Sequence, residues 1–379
     1  MSLESTSITH SIMAFMTATP LLMTPRRSVS TCNRTVTPAA TSTKPEPPKD
    51  FSPPKPRRFY VRPDKAVDIA QGSIGQLMRA YAGVLVEGYR LKTEDGKLIE
   101  YSATLPKSKP TIPLRLFEFE ACPFCRKVRE AVTMLDLDVL VFPCPKGGTS
   151  YREYVKEKGG KAQFPYLVDP NTDFAGYESN EIIEYLYRTY GPTDARVPFV
   201  FSNAYTFSAA FASRLRRGRG RDRVKKVVPA SKPLELWGYE GSPFVRLARE
   251  ALAEHELPYY LHTTARGSVK RAELKELVGR FQVPYLTDPN TGVSMFESAE
   301  ICEYIRATYG PGASGAVQLP AKEDIFMPGD SWDKEPAVEQ EPVSQEPEPS
   351  LNPEMVKDET LEKYCEDNPE SDECRVYED

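Results

Sequence analysis

The sequence predicts an α/β protein built from two tandem βαβαββα units of about 80 residues each, followed by an acidic tail that cannot form a core. Three observations carry this. First, the chain repeats itself. LRLFEFEACPFCRKVREAV, QFPYLVDPNT and YESNEIIEYLYRTYG, between Pro113 and Gly191, return as LELWGYEGSPFVRLAREAL, QVPYLTDPNT and FESAEICEYIRATYG, between Pro233 and Gly310, at an offset of 119 to 120 residues. Second, each copy alternates short apolar runs with amphipathic ones. Third, the 35 prolines crowd the two ends, so the ends are not globular.

Within each copy the elements follow in order. An apolar run (Leu114 to Phe119; Leu234 to Tyr239) predicts a buried strand. A small-residue turn leads into a helix with Pro123 or Pro243 in its first turn. A second strand and a charged helix come next, then a third strand after Pro165 or Pro284 and a fourth ending near Tyr177 or Phe296. The last helix begins at Ser179 or Ser298, read as its N-cap, with Glu181 or Glu300 in the first turn.

Composition divides the rest. Residues 1–44 are rich in Ser and Thr and hold one acid (Glu4) beside Arg26, Arg27 and Arg34, the composition of a chloroplast transit peptide. Residues 45–112 form an N-terminal extension that packs on the repeats, 113–192 the first unit and 233–311 the second. The basic linker between them, 193–232, concentrates Arg and Lys from Arg214 to Lys226. RNA, a membrane surface, the acidic tail or plain solvent could face it, but no aromatics interleave with the charges, which weighs against nucleic acid. A Pro/Glu-rich tether, 312–357, leads to a short tail, 358–379. From Lys322 onward 20 acidic residues face 5 basic ones, a net of −15, so the remaining chain is about +10 and the overall −5 hides a split. No apolar run is long enough for a spanning helix.

The candidate chemistry is Cys122-Pro123-Phe124-Cys125, where a strand gives way to a helix. There the unpaired N–H groups and the helix dipole favour a thiolate at Cys122, with Arg126 and Lys127 adding positive charge, and Cys125 is the buried resolving thiol. Half of a zinc site is the other reading, but no second Cys/His pair has suitable spacing, so no metal is expected. Phe164-Pro165 and Val283-Pro284 are placed to carry cis bonds facing the thiol site, leaving the preceding backbone free for an extended peptide such as glutathione. Glu178-Ser179 and Glu297-Ser298 lie where the last helix can hold a γ-glutamyl carboxylate. The second copy reads Ser242-Pro243-Phe244-Val245. A hydroxyl cannot exchange disulfides, though Ser242 could donate a hydrogen bond to a bound thiolate. Cys144 and Cys302 read as buried and structural.

On these motifs both copies resemble the thioredoxin-fold N-terminal domain of glutathione S-transferases and the glutaredoxins. Cys-Pro-Phe-Cys is also similar to the type 2 membrane-associated prostaglandin E synthases. The stretch from about Arg57 to Gly310 resembles a plastid family of tandem glutathione S-transferase N-terminal-domain proteins. The resemblance implies Cys122 as nucleophile, Cys125 as resolver, and glutathione as co-substrate at Phe164, Pro165, Glu178 and Ser179, with Ser242, Val283, Pro284, Glu297 and Ser298 as the second copy's contacts. Neither copy is followed by the helical domain that gives transferases their electrophile pocket, so drug conjugation is not implied.

The tail ends LEKYCEDNPESDECRVYED. Cys365 and Cys374 bracket the turn former Asn368-Pro369, and a disulfide closing so short a loop contributes about 2–3 kcal/mol of order. The segment resembles the C-terminal end of chloroplast protein twelve, the small Calvin-cycle linker, through Tyr364, Cys365, Asp367, Asn368, Pro369, Glu370, Cys374, Arg375, Tyr377, Glu378 and Asp379. That resemblance implies a Cys365–Cys374 disulfide switch in the chloroplast stroma that inserts into glyceraldehyde-3-phosphate dehydrogenase and inhibits it. The family's N-terminal cysteine pair is absent and its Trp-Asp helix is only echoed by Trp332-Asp333, so binding of phosphoribulokinase is not implied. Two functions follow as expectations. One is a glutathione-dependent oxidoreductase with a regulatory tail. The other is a non-catalytic glutathione-binding scaffold whose tail regulates Calvin-cycle enzymes.

Overall fold

The computed structural model describes residues 45–313, apart from 49, 50, 59, 95, 108, 226 and 312. The transit-peptide reading and the tail with Cys365 and Cys374 lie outside the described residues.

An N-terminal helix, α1 (Ala66–Met78), and a two-stranded hairpin, β1 (Tyr89–Glu94) and β2 (Lys97–Ser102), precede the first copy. That copy consists of β3 (Leu114–Glu118), α2 (Pro123–Met134), β4 (Val139–Pro143), α3 (Tyr151–Gly159), β5 (Tyr166–Asp169), β6 (Phe174–Gly176) and α4 (Ser179–Tyr190). A further helix, α5 (Thr206–Arg214), separates it from the second copy. That one consists of β7 (Leu234–Gly238), α6 (Pro243–Glu254), β8 (Tyr259–Thr263), α7 (Lys270–Val278), β9 (Tyr285–Asp288), β10 (Val293–Phe296) and α8 (Ser298–Tyr309). Both copies therefore adopt the predicted βαβαββα order. Local chemistry sets the ends: Pro123 and Pro243 open their helices, where a missing N–H costs nothing, and Gly160 and Gly279 close α3 and α7 in the left-handed conformation.

The two units share one sheet. Its order is β10-β9-β7-β8-β4-β3-β5-β6, with β4 and β8 antiparallel at the centre. Val139 pairs with Leu261, Leu140 with Tyr260 and Val141 with Tyr259. Under the 120-residue repeat these pairs exchange with one another, so a pseudo-two-fold axis passes through Leu140 and Tyr260, the arrangement of an isologous contact. Pairing edge to edge also removes the exposed strand edge that each four-stranded half would otherwise present.

Helices complete the exchange. α1, ahead of the first copy, packs on α6 of the second, and α5, ahead of the second, packs on α2 of the first. After each helix a short arm crosses over. Val86 N–H donates to Arg266 O (3.0 Å) and Arg266 N–H to Val84 O (2.9 Å); likewise Arg223 N–H donates to Lys146 O (2.9 Å) and Lys146 N–H to Arg221 O (2.6 Å). Arg79 and Arg216, Gly83 and Gly220, and Val84 and Arg221 correspond at an offset of 137 residues rather than 120; the β1–β2 hairpin accounts for the difference. The repeat is thus longer than its sequence signal, because arm residues are fixed by backbone pairing rather than by side-chain identity. Gly83 and Gly220 have φ of +75° and +74°, and an added Cβ would lie 2.9 Å from Glu240 Cβ or 2.5 Å from Glu120 Cβ.

Beneath the arms lies a buried ionic cluster. Arg79, Arg126, Arg129, Arg216, Arg246 and Arg249 and Glu118, Glu120, Glu130, Glu240 and Glu250 are each at most 3% exposed. The central bonds are reciprocal: Arg129 Nε donates to Glu240 Oε2 (2.9 Å) and Arg249 Nε to Glu120 Oε2 (3.0 Å). Arg79 forks onto Glu130 and Arg216 onto Glu250, the latter also reaching Asp68. Burial, and the facing Arg126, lower Arg246 to about 10. The basic linker of the sequence reading is thus partly consumed: Arg216 is buried in this cluster and Arg223 pairs with Glu256 at 2.7 Å, while Arg214, Arg217, Arg219, Arg221 and Lys225 stay exposed.

Breaking one reciprocal pair leaves a buried charge unmatched. Glu240→Gln is expected to destabilise the protein by about 3–5 kcal/mol in urea denaturation. Because sheet and arms tie the halves together, 45–313 is expected to unfold in one transition by calorimetry. Two separated transitions would contradict the fused architecture.

Candidate functional site

β3 ends at Glu118, the turn Phe119–Ala121 follows, and Cys122 caps α2. Its Sγ accepts from Cys125 N–H at 3.3 Å and lies 3.9 Å from Phe164 O. Cys122 keeps 4% of its surface exposed and Cys125 none. The two thiols respond oppositely. Burial works against ionisation of Cys122, but hydrogen bonds from the Cys125 thiol and N–H and from Phe124 N–H outweigh it and hold the thiol below its ordinary value. Burial first, and then its bond to Cys122, push Cys125 well above.

One expectation needs correction. Arg126 and Lys127 do not support the thiolate. The helix phase turns Arg126 to Glu130 and Gln76, and the Lys127 ammonium to Asn180 and Thr206. The main chain and the partner thiol do that work instead.

Phe164-Pro165 and Val283-Pro284 are both cis. Phe164 stacks edge-on with Phe119 and lies under the Arg152 guanidinium. Glu178 and Ser179 stand where α4 starts, and Gln163 Nε2 donates to Glu178 Oε1 (2.5 Å). Here too a detail differs from the sequence reading. Ser179 and Ser298 are the first helical residues rather than caps. The cap positions belong to Glu178 and Glu297, whose φ of 57° and 76° turn the chain sharply into the helix without a side-chain capping bond.

In the second copy Ser242 repeats the geometry of Cys122, its hydroxyl accepting from Val245 N–H at 3.3 Å. Around it a cavity of about 450 Å³ is bounded by Tyr239, Arg271, Val283, Pro284, Glu297 and Ser298. The N-terminal extension forms its outer wall. Arg57 N–H donates to Glu297 Oε1 (2.6 Å), its guanidinium to Glu300, and Gln282 Nε2 reaches Arg57 O (3.3 Å). A larger hollow of about 620 Å³, between the first arm and Pro192–Val200, holds none of the thiols.

Cys144 and Cys302 are buried as expected. Their thiols approach Phe142 O (3.4 Å) and Leu247 O (3.2 Å), and burial pushes Cys144 well up and Cys302 up to about 12. The repeated Asp-Pro-Asn-Thr motif proves structural. Asp169 accepts from Tyr185 and Tyr190 at 2.5 Å, and Asp288 from Tyr304 and Tyr309 at 2.6 Å, locking each last helix to its hairpin.

Among Cys122, Cys125, Cys144 and Cys302, brief alkylation of the folded protein at pH 7 is expected to label Cys122 alone, by peptide mass mapping. Its rate should rise with pH through a midpoint below the free-thiol value of about 8.5. Labelling of Cys125 or Cys302 at the same rate would contradict this geometry.

Comparison with known proteins places these features. The family model for the glutathione S-transferase N-terminal domain matches residues 116–194 and again 236–313, and the CP12 domain matches residues 340–378. A glutathione S-transferase-like protein of Aspergillus fumigatus, tpcF, is 26% identical over 105 residues, 28% of this chain; the chain spans 45% of that relative's length. Two solved structures of Bombyx mori glutathione transferase BmGSTD1 also match. One is 25% identical with a TM-score of 0.22, covering 24% of this chain and 42% of that one. The other, a complex with GTT, is 27% identical with a TM-score of 0.19, covering 22% and 39%. Among the described residues no helix is long and apolar enough to cross a membrane. The CP12 match suggests a chloroplast-linked protein of the Calvin cycle, and the combination fits a redox and regulatory role there. The chain carries two tandem thioredoxin-fold domains of the glutathione S-transferase N-terminal family, followed by a C-terminal CP12 domain.

Proposed function

We propose that the first copy is a glutathione-dependent thiol–disulfide oxidoreductase of the glutaredoxin type, acting in the chloroplast stroma. The observation that supports it is the inequality of the two thiols: Cys122, 4% exposed at the cap of α2, is biased toward thiolate, and Cys125, with no exposed surface, toward thiol. In this reading the Cys122 thiolate attacks a substrate disulfide, one substrate thiol leaves, and glutathione or Cys125 resolves the mixed disulfide. Glutathione lies along Phe164 and Pro165, with its γ-glutamyl carboxylate at Glu178 and Ser179 where α4 begins. Ser242 and Val245 cannot do this chemistry. The second copy then serves as partner and scaffold, with non-covalent contacts to glutathione at Val283, Pro284, Glu297 and Ser298.

The tail supplies the second half of the proposal. With Cys365 and Cys374 oxidised, it docks on glyceraldehyde-3-phosphate dehydrogenase and inhibits it, as the CP12 match and the residues Tyr364 to Asp379 suggest.

Cys122→Ser is expected to abolish glutathione-dependent disulfide reduction, whereas Cys125→Ser keeps the monothiol reaction. Undiminished turnover in Cys122→Ser would sink the enzyme half. For the tail, oxidised full-length protein should co-migrate with glyceraldehyde-3-phosphate dehydrogenase on gel filtration and lose this on reduction. Binding that survives removal of the last twenty or so residues would overturn that half.

A further inference from the structure

The N-terminal extension is itself held as a ligand would be, and the second copy supplies the groups that hold it. Three side chains read its backbone. Arg280 Nη1 donates to Pro56 O (3.3 Å), Gln282 Nε2 donates to Arg57 O (3.3 Å), and Glu297 Oε1 accepts from Arg57 N–H (2.6 Å). Two carboxylates on α8 read its side chains: the Arg57 guanidinium donates to Glu300, and Arg62 Nη2 to Glu303 Oε1 (2.5 Å). Under this segment Glu297 keeps 7% of its surface exposed.

All five positions keep their chemistry in the first copy, at an offset of 119 residues. Lys161 stands for Arg280, Gln163 for Gln282, Glu178 for Glu297, Glu181 for Glu300 and Glu184 for Glu303. Glu178 and Glu297 also enter their helices with the same sign of φ, so the two carboxylates start from matching backbone. The surroundings differ. Glu178, Glu181 and Glu184 are exposed, and among the described residues the one hydrogen bond to these three carboxylates comes from Gln163 to Glu178. The chain ahead of the second copy cannot stand in for the extension. At the 137-residue offset of the arms, Arg57 and Arg62 correspond to Asp194 and Phe199, so both arginines are lost.

We propose that Lys161, Gln163, Glu178, Glu181 and Glu184 form a docking surface for a proline- and arginine-rich segment of another protein, the disulfide substrate of Cys122. That this partner is the substrate rests on the oxidoreductase reading above; that it binds does not. The tethered extension shows the register. Arg57, Arg58 and Tyr60 border the same cavity as Ser242, which stands where Cys122 does, so a segment seated alike on the first copy borders Cys122. Charge selects the occupant. Three carboxylates spaced three residues apart along the start of α4 attract a cationic segment, and the chain's own acidic tail has the wrong sign. Glutathione ends at Glu178 and Ser179 in that reading, which leaves Glu181 and Glu184 to recognise the protein that carries the disulfide.

The test uses the full chain and a fluorescent peptide with the sequence of residues 52–63, read by anisotropy. The peptide should bind, and more weakly as salt rises. The same peptide with Glu in place of Arg57 and Arg62 should not bind. Glu181→Gln combined with Glu184→Lys should weaken binding by about tenfold, the sum of two exposed charge pairs, while loading of Cys122 by glutathione disulfide stays at the wild-type rate. With Tyr60→Cys in the peptide, carried as its mixed disulfide with glutathione, KM should rise by about the same factor in the double variant and kcat should hold. No binding to the wild type would overturn the proposal. So would binding that the double variant leaves intact, which would mean that the peptide exchanges with the tethered extension on the second copy. Binding without any loading of Cys122 by glutathione disulfide would overturn the oxidoreductase reading, and the substrate role with it, and leave the docking surface standing.

Discussion

The reciprocal pairing of Arg129 with Glu240 and Arg249 with Glu120 is the contact on which this architecture turns. Removing guanidinium and carboxylate groups from water is costly, and the mutual attraction repays it only with close, directional bonds. The cluster meets that demand by symmetry, each half supplying what the other lacks. Hydrophobic surface alone would tolerate sliding of one half against the other; forked arginine pairs do not. The β4–β8 junction and the crossing arms then complete a frame in which neither half has an independent boundary.

That frame also positions the thiols. α2 is held along one face by Arg126 and Arg129, and its start leaves Cys122 a sliver of exposure while sealing Cys125 in the interior. Without a basic side chain beside it, Cys122 relies on hydrogen-bond donors that the helix terminus supplies by geometry. Such donors are fixed by the fold, whereas the basic side chains of the same turn are spent on holding the halves together.

Much of this was legible in the sequence. The repeat, the strand and helix order, the proline at each helix start, the Cys-Pro-Phe-Cys site and the burial of Cys144 and Cys302 follow from local pattern. What was not legible is non-local. Nothing in Arg126 and Arg129 as sequence distinguishes an electropositive thiol environment from a buried ion-pair cluster, because the acids that answer them, Glu130 apart, lie across the pseudo-axis or on neighbouring elements. The fused sheet was hidden for the same reason, since β4 and β8 are apolar in a way that suits a central strand of any sheet. The arms escaped because their correspondence, Val84 to Arg221, preserves backbone pairing, with only Arg79/Arg216 and Gly83/Gly220 keeping their identity at an offset other than that of the repeats. One signal was present and unread: the paired change of Glu118 to Gly238 and Cys125 to Val245 stands in the aligned repeats.

The exchanged arms have a further meaning. Each copy is finished by a segment that precedes the other, with the pairing rules of a two-fold homodimer whose protomers share one chain. In a true homodimer every substitution strikes both sites, so symmetric active sites stand or fall together. Covalent joining lifts that restriction. One site can shed its thiols and accept a glycine beneath its helix while still returning the arginine, the glutamate and the strand edge that its twin needs. The serine-bearing half is then less a decayed enzyme than a permanent, non-exchangeable subunit, present at fixed stoichiometry beside the half that keeps the dithiol.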